Sequence, residues 1–164
     1  MKTKLEFIET QKFTQWWLWA ILLLVVLIPA YGIYKQEVLG ETFGTKPTNS
    51  LNLGIMLFAF VLLLLLFWRF QLKTRVNMQF LEVEFRPFVK KRWSWDEIKS
   101  AEVINYGFVG GWGIRIWTRF GTVYNIKGNK GLFLTTKKGK KYCIGTQKEA
   151  DLQQIVHEIN RKIE

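Results

Sequence analysis

His157, Cys143 and the adjacent carboxylates Asp96 and Glu97 are the residues whose chemistry could support catalysis. His157 is the only histidine. A helical reading of the C-terminal segment puts it on the face away from the apolar positions, where it meets water. A metal centre there would need partner ligands at suitable spacing, and the sequence does not offer them. Cys143 is the only cysteine, which excludes a disulfide framework and a cysteine-cluster metal site. It alternates with Tyr142 and Ile144 and reads as a small strand residue, with no histidine near it in sequence to activate a thiolate. Asp96 and Glu97, in "WSWDEI", read as turn or capping groups rather than a general acid/base pair. We therefore expect no catalytic residue, no metal and no cofactor, and read the chain as non-enzymatic.

The stretch "YGFVGGWGIRIW", Tyr106 to Trp117, holds four glycines and could be taken for a phosphate-binding loop. Such a loop must lead into a helix N-terminus, where backbone amides and the helix dipole meet the anion. Here the residues run on into alternating strand-like positions, and no Gly-Lys-Ser/Thr follows. Glycine inside a strand marks a bulge, a bend or a close approach of another segment. We expect Gly110, Gly111 and Gly113 to let a strand curl while Trp112 packs inward. Arg115 would stand on the opposite face, against Glu82 or Glu84.

Two basic clusters remain. "TTKKGKKY" reads as a hairpin with Lys137, Lys138, Lys140 and Lys141 at its tip, and "VKKRW" supplies Lys90, Lys91 and Arg92. They read either as solvated turns and topology signals or as an anion-binding patch facing lipid. Each basic residue near an anionic surface is worth on the order of 1 kcal/mol.

The elements that must position these groups begin with two apolar stretches. Trp16 to Tyr34 has 19 residues without a charge, and Leu51 to Trp68 has 18. As helices each reaches roughly 27–28 Å, about the thickness of a bilayer's hydrocarbon core. A cleaved signal peptide fits the first poorly, since the preceding segment mixes Lys2, Lys4, Glu6, Glu9 and Lys12 and no small-x-small site follows. Two buried core helices fit poorly too, since so small a domain could not cover both all round. We expect a membrane hairpin: segment 1–15, span 16–34, loop 35–50, span 51–70 and a domain over 71–164. Residues 69–164 hold 19 Lys and Arg against 9 Asp and Glu, whereas the loop has only Lys35 and Lys46. The positive-inside rule then places both termini in the cytoplasm, with Trp16, Trp17, Trp19 and Trp68 at that interface and Tyr31 and Tyr34 at the other. Tethering to a membrane argues against nucleic acid as the partner of the basic charge, and we expect none.

Past Arg69 the hydrophobic period changes from helical to alternating. "FLEVEF", "AEVINY", "GWGIRIW", "TVYNI", "GLFLTT" and "KKYCIG" are short strands divided by turn signals such as Arg86-Pro87 and Lys138-Gly139. The segment closes with a helix. Thr146 and Glu149 form a potential capping box, and Leu152, Ile155, Val156, Ile159 and Ile163 fall on one stripe. Residues 3–15 mix apolar and charged positions without a clean period, and could lie along the interface or add an edge to the domain.

The order "WDEI" (Trp95 first), "GGWGIR", "YNIKGNKGLFL" and "KKYCIGTQ" resembles bacterial pleckstrin-homology-like domains, many of which follow a pair of transmembrane helices. The resemblance covers most of residues 72–162. It implies a partly open barrel of about seven antiparallel strands capped by one C-terminal helix. It assigns architectural roles to Trp95, Gly110, Gly111, Trp112, Gly113, Arg115, Gly128, Gly131 and Gly145. It implies a binding or scaffolding module, leaves room for homo-oligomers, and carries none of the basic phosphoinositide signature of eukaryotic relatives. The expected function is a membrane-tethered adaptor of the bacterial inner membrane that binds a protein or peptide and touches anionic lipid. The alternative is an accessory subunit of a transporter or other membrane complex, docking through its hairpin. For that role Gly54 and Ala59 offer only a little close-packing surface.

Overall fold

The computed structural model describes residues 6–44 and 48–163. Lys2, Lys4 and Lys46, which entered the charge argument, lie outside the described residues, as does the side chain of Ile163. The chain forms two compact units: one runs to Phe13 and resumes at Phe70, and the other is Thr14–Arg69.

The second unit is a helix pair, α1 (Trp16–Glu37) and α2 (Ser50–Arg69). Both are long and apolar enough to cross a membrane by length and composition, and only 17% and 6% of their apolar windows are buried. That exposure separates them from the core helices of a water-soluble fold. Their close approach is at Gly32, where a Cβ would crowd Phe43 and Leu53. Gly54 has nothing near it and Ala59 is exposed, so neither makes the contact between the two helices. The connecting turn is polar. Gln36 donates to the Thr48 carbonyl (2.7 Å) and accepts from Ser50 Oγ (2.9 Å), while Asn49 Oδ1 accepts the Leu51 N–H at the start of α2.

The first unit is β-rich. Strands β1 (Glu6–Lys12), β2 (Gln71–Asn77), β3 (Phe80–Arg86) and β4 (Val89–Ser94) form an antiparallel sheet in that order, sheet A. A 3-10 turn, Trp95–Glu97, leads to β5 (Ile98–Asn105), β6 (Gly113–Thr118), β7 (Gly121–Asn125), β8 (Lys130–Thr136) and β9 (Lys141–Gly145). These five make sheet B in the order β5-β8-β9-β7-β6, in which β7 and β9 run parallel. Helix α3 (Glu149–Ile163) follows and buries Leu152, Ile155, Val156 and Ile159, the stripe expected of it.

Alternation explains most strands. In β2 the inward residues are Leu72, Thr74 and Val76; in β3 they are Leu81, Val83 and Phe85. Trp93 from sheet A meets Tyr142 from sheet B at 4.8 Å between ring centroids, so the Tyr142 face of sheet B is the one that packs on sheet A. The opposite face carries a smaller cluster of Tyr106, Val123 and Cys143, flanked by Ile104, Val109, Phe120 and Phe133.

Three expectations change. The strands number nine among the described residues, not about seven, and one pair is parallel. The N-terminal segment takes the second of its two readings: β1 is the edge of sheet A, paired with β2 over seven rungs. The capping box at Thr146 does not close. Glu149 turns to Lys130, and Thr146 and the Gln147 N–H are bound instead by Glu9 of β1.

Candidate functional site

The groups that could do chemistry lie apart. His157 is exposed on α3, while Cys143 is fully buried against Tyr106 and Val123. Burial pushes its thiol up to about 12, so it stays protonated and inert at neutral pH. Glu97 serves its own turn by accepting from Ser94 N–H (3.0 Å) and Oγ (3.2 Å), and Asp96 is exposed beside it. Among the described residues, no group of three His, Cys, Asp or Glu is arranged to hold a metal.

The glycine stretch is a loop and bulged edge strand laid against the outer face of sheet B. Gly110, Gly111 and Gly113 all have positive φ, which only glycine adopts without strain. Trp112 does not pack inward; it is 39% exposed, because Gly111 and Trp112 form a bend and β6 begins only at Gly113. Arg115 is not against Glu82 or Glu84, which belong to the other sheet and have other partners. Its guanidinium folds back over Gly111, where a Cβ would collide with it. The inward aromatic is Tyr106, whose hydroxyl donates to the Gly128 carbonyl at 3.2 Å. Gly131 and Gly145 face each other across β8 and β9 and clear the space for it: a Cβ on Gly131 would sit 2.5 Å from the Ile144 carbonyl and 3.0 Å from the Tyr106 ring. Gly128 turns with positive φ beside Gln147. Trp95 is buried and donates Nε1–H to the Asn77 carbonyl at 2.8 Å.

The two basic clusters differ. Lys137, Lys138, Lys140 and Lys141 are all exposed around the β8–β9 turn, whose root is fixed by Lys137 N–H to the Glu97 carbonyl (2.9 Å). Lys90, Lys91 and Arg92 are consecutive on a strand and therefore divide between its faces. Arg92 binds Glu82 through Nε (2.9 Å) and Nη2 (2.7 Å), and Lys90 approaches the same oxygen at 3.6 Å. Burial alone would raise the Glu82 carboxyl; Arg92 and Lys90 outweigh it and hold the group below the usual carboxylate range. Lys91 points the other way and lies 4.6 Å over the Tyr142 ring.

Among the described residues, β5 and β6 are the two edge strands of sheet B. The β6 edge carries Ile116 and Trp117 in a bulge, with Trp117 93% exposed at φ 58, and Phe108 nearby in sequence is 81% exposed. The β5 edge borders a groove of about 500 Å³ lined by Trp95, Ile98, Lys99, Ser100, Ala101, Glu102 and Asn160. Asn160 of α3 donates to the Ala101 carbonyl at 3.4 Å, so a backbone acceptor of β5 points into the groove and takes a side-chain donor. A bulge between Ile98 and Ser100 widens this end. Sequence reasoning missed the groove, because Ser100 and Asn160 carry no motif and meet only through the packing of α3 on β5.

No family model matches the sequence, and no curated protein matches it.

Proposed function

We propose that this chain is a non-catalytic binding module held at the bacterial inner membrane. In this reading α1 and α2 cross the bilayer, both termini are cytoplasmic, and the β-rich unit is a pleckstrin-homology-like domain. What supports that fold is two mainly antiparallel sheets followed by a single C-terminal helix, α3. The observation that carries the binding role is the groove beside β5. An extended peptide of a client protein can add to a free strand edge by main-chain hydrogen bonds, with alternate side chains seated in a neighbouring groove. The groove offers an apolar floor in Trp95, Ile98 and Ala101 and opposite charges in Lys99 and Glu102.

A photo-crosslinking residue at Ser100, in the full chain in its native membrane, tests this, with the same residue at Lys138 as control. A protein captured at Ser100, absent at Lys138 and lost when Asn160→Arg blocks the groove is the expected result. A species captured equally at both positions, or kept by Asn160→Arg, removes the groove as the binding site.

A further inference from the structure

We infer that the β3–β4 turn, Arg86-Pro87-Phe88, is a lipid anchor that seats the Phe88 ring at the boundary between headgroups and acyl chains. This rests on the reading of α1 and α2 as membrane spans. The register places the turn. Lys12 ends β1, Gln71 begins β2 and Arg86 ends β3, and the pairs Lys12–Gln71 and Gln71–Arg86 put all three on one rung of sheet A. Strands lie about 4.8 Å apart, so Arg86 is roughly 10 Å from the point where β1 leaves the sheet. Both routes into the helices start from this rung: Phe70 is the sole residue between α2 and β2, and Phe13 to Gln15 connect β1 to α1.

Aromatic rings gather there. Phe70 packs on Phe13 (6.0 Å), Phe85 (6.0 Å) and Phe88 (5.5 Å). Phe13 and Phe85 are buried, but Phe88 is 58% exposed at the outermost point of the cluster. An exposed ring packed on Phe70, the residue that follows a membrane-length helix, and two positions from exposed Arg86, has the character of an interfacial residue. Covalent geometry bounds its distance from the bilayer, since each connecting residue spans at most about 3.6 Å.

The lysine tip sits at the other end of sheet A. Its root bonds to Glu97, in the turn whose Trp95 bonds to Asn77 at the far end of β2. Gln71 and Asn77 are roughly 20 Å apart along that strand. In this arrangement the aromatic tip, rather than the lysine tip, is the part of the domain that meets lipid.

The experiment uses the full chain in lipid nanodiscs of phosphatidylcholine and phosphatidylglycerol. A nitrobenzoxadiazole dye is attached in turn at Phe88→Cys, Lys138→Cys and Leu24→Cys; buried Cys143 stays unlabelled. Shallow spin-labelled lipid and aqueous iodide serve as quenchers. Several-fold stronger lipid quenching at position 88 than at 138, with 138 open to iodide, is the expected result. Quenching at 24 but iodide access at 88 overturns the anchor while the membrane reading stands. Failure of lipid quenching at both 24 and 88 overturns both. Protection of 88 from both quenchers means that protein covers the ring, and also overturns the anchor.

Discussion

Glu82 shows how a single carboxylate organises its surroundings. It lies on the side of β3 opposite Leu81, Val83 and Phe85, yet it is buried, because Arg92 and Lys90 of β4 close over it. Arg92 and Lys90 are themselves more than half exposed, so water screens the pair and its net worth is about 1–2 kcal/mol. The sign of its pH dependence follows from the lowered carboxyl. A group held below its ordinary 4.5 contributes stability above that pH, and the contribution is lost as pH falls through the folded-state value. Glu82→Gln should therefore be less stable than the wild type at neutral pH, and the gap should close as pH is taken below about 4.5. Urea unfolding of both proteins across that range checks it; a gap independent of pH would mean that charge is not what Glu82 supplies. Alternation along β3 was legible, and so were the opposite-sign residues of "VKKRW". Which of the three basic residues faced Glu82 was not, since that needs the β3–β4 register.

At the scale of elements, β1 is the informative case. Its inward positions are Phe7, Glu9 and Gln11, two of them polar, which is why the segment shows no hydrophobic period. Those polar side chains have work on other elements. Gln11 donates to the Gly145 carbonyl at 2.8 Å, closing β1 on the end of β9. Glu9 accepts Thr146 Oγ–H (2.5 Å) and the Gln147 N–H (2.8 Å) just ahead of α3. A carboxylate there also complements the positive end of the helix dipole. Glu9→Ala leaves buried donors unpaired and should cost roughly 1–3 kcal/mol. Thr146→Ala added to it should cost much less than it does alone, because the two share one contact. Denaturant titration of the four proteins in detergent reads the coupling; additive losses would show that Glu9 and Thr146 act independently. The sequence spacing makes Thr146 the N-cap and Glu149 its partner in a capping box. Lys130 drew the Glu149 side chain away, and Glu9, 137 positions before Thr146, accepts the Thr146 hydroxyl instead.

For the whole molecule, pairing of β1 with β2 has a consequence for topology. The two strands flank the helix pair in sequence and lie in one sheet, so both flanks must be on the same side of any membrane that α1 and α2 cross. Single cysteines at Glu6 and Lys138, both exposed, should react together or be protected together when intact cells meet an impermeant maleimide, and one at Glu41 should do the opposite. Labelling of Glu6→Cys without Lys138→Cys would contradict a crossed pair. What the sequence by itself determined was whatever depends on local hydrophobic period: the two apolar helices, the alternation of β3 and β8, and the stripe of α3. It also excluded a phosphate loop at the glycine stretch, because the residues after it alternate. Tertiary structure alone decided where polar residues point. The joining of β1 to a sheet beyond the helices, the choice of which β4 face meets Glu82 and the groove between β5 and α3 each depend on a remote partner. A buried polar group is stable only where its hydrogen-bond partner arrives, and that partner is supplied by the fold rather than by neighbours in sequence.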